Sequence, residues 1–171
     1  VTANDPTVCV GQTINLTATG SGTATLSYSW SGPGNYSSSA QNPSIPNAAL
    51  SDDGTYTVTV TDAVGCIGTS SAVNVTENTL PTPSITGTLT YCAGNTTTLD
   101  AGAGYSTYNW SSIGNTQTDA VTVANNPITV SVTDANGCVG TSAAVNVTEY
   151  ALPTPSITGT LTYCAGNTTT L

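Results

Sequence analysis

The chain copies itself, and that constrains it more than any single residue. Residues 81–99, PTPSITGTLTYCAGNTTTL, recur letter for letter as residues 153–171, an offset of 72. The same offset carries AVNVTE at 72–77 onto 144–149, and TVTVTDAVGC at 57–66 onto TVSVTDANGC at 129–138. A period of this size marks a row of small units, each with its own modest core, rather than one large core. The first copy is longer. Cys9 and Cys92 lie 83 residues apart, and the extra residues flank Trp30: Ala18 to Trp30 spans 12 residues, Ala101 to Trp110 only 9. Insertions of this kind belong in loops. The expected units are 1–79, 80–151 and the first strands of a third copy over 152–171. Val1-Thr2-Ala3-Asn4 resembles the tail of a preceding copy, as in Val75-Thr76-Glu77-Asn78. Residues 153–171 are too few to bury a core, so they are expected to continue into further chain, to pair with a neighbouring copy, or to fray.

Within each copy apolar and small polar residues alternate. Ile14, Leu16 and Ala18 alternate with Asn15 and Thr17, Val58 and Val60 with Thr57, Thr59 and Thr61, and Val73 and Val75 with Asn74 and Thr76. A period of two is that of a strand with one buried face, and Thr, Val, Ile and Tyr favour that surface. Nothing shows helical spacing with caps, so the fold class is all-β. Asp62-Ala-Val-Gly65 and Asp134-Ala-Asn-Gly137 sit between alternating runs and predict hairpin turns, with an Asx start and a glycine free to take positive φ. The links Leu80-Pro-Thr-Pro83 and Leu152-Pro-Thr-Pro155 restrict φ twice each and predict a semi-rigid, extended string.

Trp30 in SYSW and Trp110 in TYNW follow the strands that carry Leu16 and Leu99, where a central tryptophan of a β-sandwich sits. Asp52-Asp-Gly-Thr-Tyr56-Thr-Val58 is similar to the immunoglobulin pattern leading into a tyrosine corner, with Val58 where antibody domains place their second cysteine. The second copy has Asn125-Asn-Pro-Ile there, so a corner is expected only for Tyr56. The predicted core is Trp30, Trp110, Leu16, Leu99, Val58, Val130 and Tyr56.

The cysteines fall elsewhere. Pairing within each copy predicts disulfides Cys9–Cys66 and Cys92–Cys138, with Cys164 left to a mate outside this sequence. Closing each loop would stabilise a small sandwich by roughly 4 kcal/mol. Such bonds imply an oxidising, extracellular setting.

Composition limits the chemistry. There is no Lys, Arg, His, Met or Phe, and nine carboxylates give a net charge of −9. Nucleic acid and anionic membranes are bound through cations, so neither is an expected partner, and no apolar run is long enough to cross a bilayer. Without His, Lys or Arg, catalysis is not expected, and no cofactor or metal is called for. Asp52 and Asp53 are adjacent and point apart, which suits a turn better than an acid–base pair. The stretch from Asp134 lacks the acids an EF-hand needs, with Val132 and Ala143 where they would stand.

With CxGxTxxLxA, then YxW, YTVTVTDxxGC and SAVNV, the chain resembles the Ig-like repeats of giant secreted adhesins of Bacteroidota, including gliding-motility adhesins. The resemblance covers essentially the whole sequence. It implies tandem immunoglobulin-like β-sandwiches, display at the cell surface through the type IX pathway, and duty as a stalk or filament. Neighbouring repeats are expected partners, other copies are expected to pair by strand through residues 153–171, and surface glycans are a further expected partner. Archaeal surface threads of linked Ig-like subunits are a second comparison, because seven Asn-x-Ser/Thr sequons begin at Asn15, Asn35, Asn74, Asn95, Asn109, Asn146 and Asn167. In so Asn- and Thr-rich a chain several arise by chance. The rival reading is a carbohydrate-binding accessory module of a secreted polysaccharide-degrading enzyme, with Trp30, Trp110, Tyr28, Tyr36, Tyr105 and Tyr108 as a stacking face. Core packing is the plainer role for the tryptophans. Thr-rich outward faces, such as Thr57, Thr59 and Thr61, suit an ordinary solvated sheet as well as a binding array.

Overall fold

The computed structural model describes residues 2–3, 6–112, 114–159, 162 and 164–168. In the first copy the alternating runs become ten strands: β1 (Thr2–Ala3), β2 (Thr7–Cys9), β3 (Ile14–Asn15), β4 (Ala18–Thr19), β5 (Ser27–Gly32), β6 (Tyr36–Ser38), β7 (Ser44–Ile45), β8 (Gly54–Thr61), β9 (Ile67–Thr69) and β10 (Val73–Asn78). One layer runs β2-β10-β8-β5-β6, with β9 also on β8. The pairs β1-β4 and β3-β7 form the facing layer. β2 runs parallel to β10, with Thr7 opposite Thr76 and Cys9 opposite Asn78, while β10, β8 and β5 are antiparallel.

The period of two is what builds the core. Along β8, Tyr56, Val58 and Val60 are buried between partly exposed threonines, and along β10 Val73, Val75 and Glu77 alternate with exposed Asn74 and Thr76. Tyr56, Val58, Val60 and Val75 meet Ile14, Leu16, Ala18, Trp30 and Ala48 in one cluster.

The second copy repeats the plan with β11 (Thr86–Gly87), β12 (Thr90–Cys92), β13 (Thr97–Asp100), β14 (Thr107–Trp110), β15 (Thr118–Val121), β16 (Val130–Thr133), β17 (Val139–Thr141) and β18 (Thr148–Tyr150). β12 lies parallel to β18, with Cys92 opposite Tyr150, as Cys9 lies opposite Asn78. β14-β16-β17 and β11-β13-β15 complete the layers. Its core is a separate cluster of Tyr91, Leu99, Ala101, Trp110, Val121, Ile128, Val130, Val132 and Val147. The architecture is an all-β, immunoglobulin-like sandwich.

At the N-terminal end Thr2–Ala3, read as part of the tail of a preceding copy, pair with Thr19 and Ala18 of the first copy. An edge strand offers bare N–H and C=O groups that a short extended segment satisfies wherever it comes from. Val1 and Asn4 lie outside the described residues. At the other end, residues 152–159, 162 and 164–168, expected as the first strands of a third copy, carry no strand and are exposed, and residues 160, 161, 163 and 169–171 lie outside the described residues.

Candidate functional site

Two local structures recur in register in the two copies. The first is a tight turn after β2. The Gln12 amide donates to the Cys9 carbonyl at 3.0 Å, and Asn95 to Cys92 and Asn167 to Cys164 at 3.1 Å. Each turn holds a glycine at positive φ, Gly11 at 86°, Gly94 at 85° and Gly166 at 90°, where a side chain would be strained. The second is the hairpin leading into β9 or β17. The Asp62 carboxylate accepts from the Val64 and Cys66 amides at 3.0 and 2.9 Å, and Asp134 accepts from Asn136 and Cys138 at 2.9 Å each. The Thr23 amide first, then those of Cys66 and Val64, hold the Asp62 carboxyl below its ordinary value. Each hairpin places a cysteine at its last residue.

The parallel pairing of β2 with β10 then decides which cysteines can meet. Cys9 sits at the Asn78 end of its sandwich, whereas Cys66 lies twelve residues earlier, at the far end of the same strand system. At about 3.3 Å per residue the two are on the order of 30 Å apart. A disulfide requires Cα atoms within about 7 Å. The predicted bonds Cys9–Cys66 and Cys92–Cys138 are therefore corrected: Cys9 is bonded to Cys138, across 129 residues, with Cα atoms 5.6 Å apart. Both are buried, while Cys66, Cys92 and Cys164 are exposed free thiols. The turn after β2 is thus joined to the hairpin that leads into β17.

The proline link is seated on the same corner. The backbone of Pro81 lies so close against Gly140 in β17 that a Cβ there would overlap the Pro81 carbonyl, and both Pro83 and Gly140 are buried.

The remaining sequence-derived residues fall as follows. Trp30, Trp110, Leu16, Leu99, Val58, Val130 and Tyr56 are all buried, and the indole N–H groups donate to the Ala40 and Thr116 carbonyls at 3.0 and 2.9 Å. Neither indole presents a face for a sugar ring. The Tyr56 hydroxyl donates to the Asp52 carbonyl at 2.9 Å, closing the corner, with Tyr36 edge-on at 5.5 Å. In the second copy Asn126 takes over this end, exchanging hydrogen bonds of 2.8 and 2.9 Å with the Val147 backbone. Asp52 accepts from the Ala49 amide and closes the turn, whereas Asp53 accepts from the Glu77 amide and ties the turn to β10. Among the described residues, buried Glu77 has no hydrogen-bond partner for its carboxylate, and burial, then Asp52 and Asp53, raise its pKa. All seven sequon asparagines, Asn15, Asn35, Asn74, Asn95, Asn109, Asn146 and Asn167, are exposed.

One pair escaped the pattern reading. Ser70 and Ser142 are buried on the core side, and their hydroxyls accept from the Val58 and Val130 amides at 3.0 and 3.1 Å. The signal was present: CIGTS at 66–70 recurs as CVGTS at 138–142. Among the described residues, no group of three or more acidic or cysteine side chains is arranged to hold a metal, and no helix is long and apolar enough to cross a membrane.

A family profile described as an immunoglobulin domain matches residues 1–76. No curated protein matches. Among solved structures, the three N-terminal domains of the bacteriophage RB49 highly immunogenic outer capsid protein are similar at 18% identity and TM-score 0.47, over 86% of this chain and 57% of that one. Murine CEACAM1b is similar at 13% identity and TM-score 0.43, over 87% and 99%. The first Ig domain of mouse SynCAM 2 is similar at 21% identity and TM-score 0.39, over 47% and 96%.

Proposed function

We propose that these immunoglobulin-like sandwiches, with units at 1–79, 80–151 and a third opening at 152, form a tandem array that works as the stalk or filament of an extracellular adhesin. The observation that carries this reading is the junction, where a buried disulfide and a seated proline link tie one sandwich to the next. A single flexible linker would let neighbours swing; two attachments at one corner resist bending. The disulfide suits an oxidising exterior, and the −9 charge keeps a long array dispersed. Exposed sequons Asn15, Asn35, Asn74, Asn95, Asn109, Asn146 and Asn167 are proposed as glycan acceptors on that surface. The chain's descent from Bacteroidota-type adhesins belongs to the same proposal, carried by CxGxTxxLxA and YTVTVTDxxGC.

Electron microscopy and intact mass of the native surface material test this. The expected result is an extended particle with a repeat on the order of 30–40 Å, since β8 alone, at eight residues, is about 26 Å long. A compact particle with free thiols overturns it.

A further inference from the structure

The observed bond joins unlike positions of successive copies, a turn cysteine and a hairpin cysteine, and each type also occurs unbonded. Cys66 occupies in the first copy the place of Cys138, and Cys92 occupies in the second the place of Cys9. The local frames match: the hairpin carboxylates bond the Cys66 and Cys138 amides alike, and Cys92 lies opposite Tyr150 as Cys9 lies opposite Asn78. What differs is the partner. Bonded Cys9 and Cys138 are buried, whereas Cys66 and Cys92 are exposed.

The surface round Cys66 also looks uncovered. Val64 and Ile67 flank it with 68% and 70% of their area exposed, and a shallow pocket beside it is lined by Leu26, Val60, Asp62 and Ile67. At the occupied hairpin the counterpart of Ile67, Val139, is still 54% exposed, so an apposed turn covers such a rim only in part. Neither Cys9 nor Cys92 of the same chain can provide that surface. Cys9 is at the other end of the sandwich and already bonded, and Cys92 is at the far end of the next sandwich.

We infer that Cys66 and Cys92 are the two open ends of a staggered disulfide ladder, in which the hairpin cysteine of each copy bonds the turn cysteine of another copy of this repeat. The occupant of the Cys66 pocket is thus a Thr-Tyr-Cys-Ala-Gly turn from a second copy, as Cys9 occupies the Cys138 hairpin here. Each bond forms as two thiols lose two protons and two electrons to a disulfide oxidant, R–S–S–R, which leaves as two RSH. An array built this way is continuous covalently along two routes, the backbone and the ladder. Cutting the backbone once between Cys9 and Cys138 then leaves the array joined.

This inference rests on the tandem reading but fails separately from it. The 171-residue chain is oxidised with glutathione disulfide at high concentration and run without reductant. It is then digested with Asp-N and chymotrypsin, since trypsin has no site, and its linked peptides are identified. The expected result is disulfide-linked oligomers that carry Cys9–Cys138 within each chain and Cys66 bonded to Cys92 or Cys164 of a second chain. Cys66→Ser abolishes the oligomers and leaves Cys9–Cys138 closed. The ladder is overturned by Cys66–Cys66 or Cys9–Cys66 peptides, or by a Cys66 that stays alkylatable while Cys9–Cys138 is closed. An extended native particle with that alkylatable thiol would leave the stalk standing without the ladder.

Discussion

Replacing Tyr56 with Phe isolates one hydrogen bond in an otherwise unchanged core. The ring is fully buried, packs edge-on against Tyr36, and keeps those contacts as Phe. Only the donor to the Asp52 carbonyl, at 2.9 Å, is lost. The net loss for such a bond, with one part-buried acceptor left behind, is about 1–1.5 kcal/mol. In a sandwich of this size that lowers Tm by about 4–12 °C. The second sandwich serves as an internal control, because Asn126 holds the corresponding corner there. Scanning calorimetry should therefore show one transition moving and one staying.

The same variant has a signature in alkali. Burial, followed by the charges of Asp52 and Glu77, raises the Tyr56 pKa from 10.0 to about 12. The folded state thus keeps a proton that the unfolded chain releases. Stability from this source is complete below about pH 10 and declines as pH rises towards 12. Tyr56→Phe removes that slope from the first transition. An unmoved first transition, or an alkaline limb identical to that of the parent, would refute the assignment of the corner.

Three further outcomes follow from the same geometry. Ser142→Ala leaves the buried Val130 amide without its hydroxyl acceptor and should destabilise the second sandwich by about 1–3 kcal/mol, read in urea titrations with Ser70→Ala as the matched change in the first. Gly140→Ala places a methyl group on the Pro81 carbonyl; it should cost about 1–3 kcal/mol and slow closure of Cys9–Cys138 during oxidative refolding, measured by timed alkylation. Glu77 has a raised folded pKa, so the folded state binds its proton more tightly than the unfolded chain and stability rises as pH falls from neutral through that value. Glu77→Gln should add about 1 kcal/mol at neutral pH and flatten this rise, as pH-dependent melting would report.

Much of the molecule was legible because it depends on short stretches of chain. The alternation at 57–61 and 73–76 marks which side chains enter the core. The Asp62 and Asp134 hairpins close through carboxylates two and four residues from their donors. Trp30, Trp110 and Tyr56 could be placed because their neighbours in sequence define a strand and a corner. Ser70 and Ser142 were written into the repeat, yet their role needs a strand that folds back twelve residues later, and so they passed unnoticed.

The cysteines mark the boundary between the two kinds of knowledge. The repeat period, the strand faces and the turn chemistry are local properties, and the sequence by itself determined them. Which thiols meet depends on strand direction. Because β2 runs parallel to β10, a turn cysteine and the hairpin cysteine of its own copy end at opposite poles, while the hairpin of the next copy arrives beside it. Spacing along the chain cannot express that direction, so only the tertiary structure turned two predicted bonds within copies into one bond between the first copy and the second.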